Sequence, residues 1–338
     1  MSDIISRAAL GRLVDDWIGR GTRVAGPALV APGVASYVYL AGGDRLLLDG
    51  FVHPVNSIKE FVFPRHESVC VYRFSGKQVE VADTDDAIGE QIVVAARPCD
   101  AAALPILDHV FNWDYADEFY NRRRRATTVI TLACSAHDEA CFCTSVGLGP
   151  AAVRGSDAML LDLGSGEYEV RCLTDKGREA FAGKTTTSEK TATEVPGPGP
   201  RFEPEQVRRY LGEHFEDPVW AKTTLACLGC GACAYNCPTC HCFDLVDEGD
   251  GHGGARVKNW DSCQFATFTL HASGHNPRPA QPQRQRQRIF HKFRVYPDKF
   301  GDVLCTGCGN CGRNCAAGLG VLEVLEAIER TDGEHLQA

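Results

Sequence analysis

The sequence predicts an α+β protein: an N-terminal mixed α/β domain, then a smaller C-terminal domain with internal pseudo-symmetry and a long insertion. Three observations carry this. Apolar, β-branched runs alternate with amphipathic stretches over residues 1–182. A polar, Pro- and Gly-rich segment interrupts the chain at 183–200. Beyond it, over 201–338, a fourfold cysteine motif occurs twice.

In the first part, Val69–Phe74, Gln91–Ala96 and Thr127–Ala133 read as strands, being short and rich in Val, Ile and Thr. Ser6–Gly19, Ala101–Val110 and Thr174–Ala182 have the apolar spacing of helices. Lys184–Pro200 closes on alternating Pro and Gly and reads as a linker or exposed loop. A helix is predicted from Glu203 to about His214, and a packed terminal helix within Gly318–Arg330. Between the two cysteine motifs, the insertion at about 244–300 is too long for a simple loop and implies structure of its own.

The composition is globular, at 44% hydrophobic and 23% charged. A formal net charge of −9 weighs against nucleic acid as a partner. No apolar run approaches the roughly 20 residues of a membrane span. The N-terminus lacks the apolar core of a secretory signal, so a cytoplasmic location is expected. The 338 residues include 17 cysteines, which in a reducing compartment more often bind metal than form disulfides.

The motifs are Cys227-x2-Cys230-x2-Cys233-x3-Cys237-Pro238 and Cys305-x2-Cys308-x2-Cys311-x3-Cys315. This is the bacterial ferredoxin spacing, in which three cysteines serve one 4Fe–4S cluster and the fourth serves the other. Cys227, Cys230, Cys233 and Cys315 are therefore expected to hold one cluster, and Cys305, Cys308, Cys311 and Cys237 the second. Zinc is the alternative for any single Cys-x2-Cys, but four cysteines per motif, repeated, argue for clusters. Ala316 stands where proline usually follows the last cysteine; proline is not a ligand.

A third group is less regular. Cys99 follows one strand-like run, Cys134 ends another, and Cys141-Phe142-Cys143 follows after six intervening residues. Two strand ends and a loop could gather four thiolates for a third iron–sulfur cluster, with 4Fe–4S the expected type. The alternative is that these are buried free cysteines. Cys70 and Cys172 read as core residues; Cys240, Cys242 and Cys263 read as structural, or as a thiol site that shields the clusters, binds or reacts. Arg122–Arg125 reads as a solvated face or a partner contact. Alternation in Arg284-Gln285-Arg286-Gln287-Arg288 would place the arginines on one face of a strand, whereas a helix would scatter them. No short nicotinamide, flavin or ATP fingerprint is present.

Taken in order, Phe63-Pro64, Arg97-Pro98-Cys99-Asp100, Cys141-Phe142-Cys143-Thr144-Ser145, Cys237-Pro238-Thr239-Cys240, Trp260-Asp261-Ser262-Cys263 and Arg286-Gln287-Arg288 through His291-Lys292-Phe293 form a specific set. Over nearly the whole chain it resembles the β subunits of soluble sulfhydrogenases, which are nickel–iron hydrogenases that also reduce sulfur, and the A subunit of anaerobic sulfite reductase. The resemblance implies an electron-transfer subunit of a multi-subunit oxidoreductase. Its partners would be a flavin- and NAD(P)-binding subunit and a catalytic subunit carrying the terminal centre. It implies no catalytic residue on this chain. A self-sufficient thiol or disulfide enzyme using Cys240, Cys242 and Cys263 is the competing reading.

Overall fold

The computed structural model describes residues 1–84 and 88–335. The first half runs β1 (Ser2–Ser6), α1 (Arg7–Gly19), β2 (Arg23–Ala31), β3 (Val34–Tyr39), β4 (His66–Ser75), β5 (Gln78–Asp83), β6 (Gln91–Ala96), α2 (Pro98–Phe111), α3 (Glu118–Ala126), β7 (Thr127–Leu132), β8 (Ala158–Asp162), β9 (Glu167–Cys172), α4 (Asp175–Phe181) and β10 (Thr186–Ser188). Then follow α5 (Pro204–Glu213), α6 (Val219–Thr224), α7 (Ala232–Tyr235), β11 (Phe243–Gly249), β12 (Gly253–Trp260), α8 (Gln281–Phe290), α9 (Tyr296–Phe300), α10 (Asn310–Arg313) and α11 (Val321–His335). The mixed α/β character expected of the chain is present.

An eight-stranded sheet, ordered β10-β1-β9-β8-β7-β6-β2-β3, forms the frame. Its centre is parallel (β2, β6, β7 and β8), and every residue of β6 is buried. Such strands need cover on both faces. On one side α1 offers Leu10, Leu13, Val14 and Trp17, spaced for a single helical face, and α4 adds Phe181. The Ser6 side chain accepts a hydrogen bond from the Ala9 amide at 3.2 Å and starts α1. On the other side α2 buries Leu104, Leu107 and Phe111. Pro98 occupies the first turn of α2, so this helix begins three residues before the predicted Ala101.

A second, antiparallel sheet is ordered β11-β12-β4-β5. Here β12, from the stretch between the cysteine motifs, pairs with β4, from the N-terminal half. The junction holds a buried charge network: Lys258 reaches Glu67 at 3.0 Å and Asp117 at 3.2 Å, and Arg123 also pairs with Glu67. Trp260 donates to the Phe63 carbonyl at 3.1 Å and packs into the core beneath α2. One arginine of the 122–125 run is thus an internal anchor, while Arg125 pairs with Glu118 on the surface. Similarly, β10 lies within the stretch read as a linker and joins the edge of the large sheet against β1.

The C-terminal core is helical: α5, α6, α8 and α11 contribute Val207, Leu211, Trp220, Ile289, Val324 and Leu325. Phe142, from the N-terminal half, inserts into it beside Phe202, with ring centroids 5.8 Å apart. The Arg-Gln stretch is a helix, α8, rather than a strand, and Arg284, Arg286 and Arg288 are all buried. Among the described residues no helix is long and apolar enough to cross a membrane.

Glu67→Ala would leave Arg123 and Lys258 confronting each other in a buried site. It is expected to cost about 3–5 kcal/mol, seen as a lower urea midpoint. Glu118→Ala, at an exposed pair, should change stability by less than about 1 kcal/mol.

Candidate iron–sulfur sites

The two cysteine motifs fold alike. Gly229 and Gly307 have φ of +65° and +64°, and Gly231 and Gly309 have +76° and +75°. These left-handed positions turn the chain tightly before the short helices α7 and α10, and side chains larger than hydrogen are disfavoured there. The repeat seen in sequence is therefore also a repeat of backbone geometry.

Cys227, Cys230, Cys233 and Cys315 line one cavity, together with Gln264, Gln285 and Arg288. Cys315 comes from the other motif and crosses into this cavity. Gln281 donates to the Cys227 sulfur at 3.3 Å. Burial pushes the Cys233 thiol up to about 11.

The complementary group, Cys237, Cys305, Cys308 and Cys311, is buried. Burial raises the Cys305 thiol to about 12, with Cys237 and Cys311 adding to the effect. Lys292, itself 2% exposed, donates to the Cys237 sulfur at 3.4 Å, to Thr239 at 3.1 Å and to the Leu304 carbonyl at 2.9 Å. Burial works against its charge, but Cys237, Cys240 and Cys305 hold the ammonium above its ordinary range. The Val321 amide, at the start of α11, donates to the Cys311 sulfur at 3.3 Å.

Cys99, Cys134, Cys141 and Cys143 also come together, lining a second cavity. Cys99 and Cys134 follow the carboxyl ends of the adjacent parallel strands β6 and β7, where α/β sheets place their sites. The turn into α2 is fixed by Asp100, which accepts from the Tyr37 hydroxyl at 2.8 Å, and by Arg97, which donates to the Val52 and Phe51 carbonyls at 2.8 Å. Arg313, within the second motif, donates to the Cys141 sulfur at 3.0 Å and pairs with Asp138. Gly307 and Cys308 form part of the same cavity wall, and the Phe142 amide donates to the Gly307 carbonyl at 2.9 Å. The N-terminal cavity therefore abuts the second ferredoxin-type loop.

Cys240, Cys242 and Cys263 lie in the interior beside these groups. The Cys240 thiol, hydrogen-bonded to Cys237, acts with Lys292 to hold Cys237 well below the ordinary thiol range despite its burial. A hydrogen bond from Cys242 lowers Cys263 to about 6. Lys59 donates to the Cys240 carbonyl at 2.9 Å, with its ammonium 3.8 Å from the Trp260 ring centroid. His241 and His291 are lowered to about 4 and about 3, chiefly by burial, so both rings are neutral near pH 7.

The residues fit iron–sulfur clusters. Among the described residues no three Cys, His, Asp or Glu approach closely enough to share a single metal ion. Cysteines in groups of four, two of the groups at the ferredoxin spacing, are the donor set of a 4Fe–4S cluster. The buried cations at the sulfurs were not individually legible. Lys292 and Arg288 lay in a stretch that spacing showed only as basic, and Lys59 and Arg313 carried no sequence signal.

A family described as the 4Fe-4S dicluster domain matches residues 226–319. Sulfhydrogenase 2 subunit beta of Pyrococcus furiosus is 30% identical over 298 residues, which is 84% of this chain and 86% of that protein. No solved structure matches the chain.

At Gly307, an added Cβ would lie 2.5 Å from the Cys143 Cα, on a residue whose φ is +64°. Gly307→Ala is expected to push the Cys141–Cys143 loop off the second motif. It should lower thermal stability and expose residues 135–148 to protease, at a cost of about 1–3 kcal/mol from the backbone alone.

Proposed function

The chain belongs to the family of sulfhydrogenase β subunits, and on that premise we propose that it relays electrons between a flavin- and NAD(P)-binding partner and a catalytic subunit of hydrogenase type. Its general role, an iron–sulfur electron-transfer subunit of a multi-subunit oxidoreductase, follows from the family and the dicluster domain. The observation that carries the electron-relay reading is the crossing of Cys315 into the cavity of Cys227, Cys230 and Cys233. That arrangement supports two adjacent centres of ferredoxin type, with Cys237 completing the other.

A 4Fe–4S cluster supplies one-electron redox capacity when bound. The chain's own contribution is to hold, charge-match and dry these sites. Thiolates from three groups of four cysteines provide the ligands: Cys227, Cys230, Cys233 and Cys315; Cys237, Cys305, Cys308 and Cys311; and Cys99, Cys134, Cys141 and Cys143. Lys292 and Arg313 bring positive charge to sulfur, and Gln281 and the Val321 amide bring neutral donors. Aliphatic side chains of the helical core exclude water from the second group.

A second reading is favoured by the thiol pair Cys242–Cys263, whose hydrogen bond and lowered Cys263 suit it to thiol chemistry. Unchanged turnover of the intact complex carrying Cys240, Cys242 and Cys263 as serines would remove it. Electron input to a sulfite reductase is the remaining variant; the subunits that co-purify with the chain separate it from the hydrogenase reading.

The third centre has a direct test. Purified anaerobically, the chain should hold about twelve irons, since each cubane contains four. Cys134→Ser and Cys141→Ser should each bring this to about eight while leaving two interacting EPR signals. A wild-type content of about eight, unaltered in both variants, would remove the N-terminal centre and keep the other two.

A further inference from the structure

Helix α8 carries three buried arginines, and two have evident tasks. Arg284 donates to the Arg278, Pro279 and Gln264 carbonyls at 3.1, 2.7 and 3.1 Å and so secures the start of the helix. Arg286 pairs with Glu216 at 2.6 Å and lies over the Phe215 ring. Arg288 differs. It is 2% exposed, and its Nε, Nη1 and Nη2 have no hydrogen-bond partner among the described residues. One turn earlier, Gln285 is 1% exposed and its Nε2 is likewise unpartnered. Both side chains line the cavity of Cys227, Cys230, Cys233 and Cys315.

A buried guanidinium without acceptors carries a desolvation penalty of several kcal/mol. Buried donors on native chains have partners. Here the orphaned N–H groups converge on a cavity walled by four thiols, so the missing partner is an anionic, sulfur-rich acceptor. The neighbouring ferredoxin-type group already has its own cation in Lys292, whose ammonium is fully engaged.

We propose that Arg288, seconded by Gln285, is the charge and hydrogen-bond partner of the cluster held by Cys227, Cys230, Cys233 and Cys315, and that it raises the reduction potential of that cluster. The inference rests on the assignment of a cluster to these four cysteines. Reduction adds negative charge to a 4Fe–4S cluster, and a nearby cation with N–H groups directed at sulfur stabilises the reduced form more than the oxidised one. Gln285 supplies dipole without charge, so its share is smaller.

The test is an EPR-monitored redox titration of the full-length chain, with iron content measured alongside, for wild type, Arg288→Gln, Arg288→Lys and Gln285→Leu. Arg288→Gln should keep its iron and make one cluster at least tenfold harder to reduce, a fall of about 59 mV for a one-electron couple. Arg288→Lys keeps the charge and should recover most of that shift, and Gln285→Leu should move the same cluster by less. Loss of iron in Arg288→Gln that Arg288→Lys restores would support the same charge requirement. Full iron in Arg288→Gln with every potential within twofold of wild type in reduction equilibrium overturns the proposal. So does loss of iron in both Arg288 variants, which would make the residue a structural one. A wild-type chain that binds no iron overturns the cluster assignment itself, and is thereby distinguished from a loaded wild type whose potentials ignore Arg288.

Discussion

Sulfur-rich charge buried in a low-dielectric interior has to be matched by buried cations, and much of this chain is arranged around that constraint. Lys292 meets Cys237, Arg313 meets Cys141, and Arg288 faces the cavity of the first motif. Lys59 is held beside Cys240 against the Trp260 ring. A lone charge at such depth costs several kcal/mol, and only a close counter-charge with satisfied hydrogen bonds recovers it. The overall charge is −9, so these cations are a local internal feature rather than an excess of positive charge.

The same requirement explains how closely the two halves of the chain are joined. Arg313 lies within the second motif yet serves a cysteine of the N-terminal half. Phe142, between two of the N-terminal cysteines, fills the C-terminal core. Lys59, from the N-terminal half, reaches the segment after the first motif. The β4–β12 pairing and the Glu67–Lys258 contact hold these parts in register. The cysteine groups consequently form a continuous series. Gly307 and Cys308 border the N-terminal cavity, and Arg288 lies on the wall of the cavity at the other end.

Local signals were legible in the sequence, and distant ones were not. The cysteine spacing pointed to the crossed grouping of Cys315 with Cys227, because a repeat with fixed intervals encodes its own geometry. Cys99 and Cys134 could be placed together because both follow strand-like runs, and the parallel pairing of β6 and β7 puts those ends side by side. The Arg-Gln alternation suggested a strand if read by period alone. Pro282 in the first turn and the Gln283 side chain accepting from the Ala280 amide at 3.0 Å make it a helix instead. The pairing of β12 with β4 was hidden for a different reason: the paired residues lie 180 to 193 positions apart, and no local pattern reports such a pairing. Arg313 and Lys59 were invisible on the same grounds, since nothing in a residue's own neighbourhood shows which sulfur it will meet.

The crossover of Cys315 bears on how the protein is made. A ribosome delivers the first three cysteines of that cavity, Cys227, Cys230 and Cys233, well before the fourth. Cys315 lies 82 residues beyond Cys233, so the cavity can be closed only after both motifs and the insertion between them have been made. Domains that fold during translation gain from early local contacts, but here the long-range closure comes last and its entropy has to be met all at once. Closure of that cavity therefore waits on the second motif, however early the first three cysteines are made.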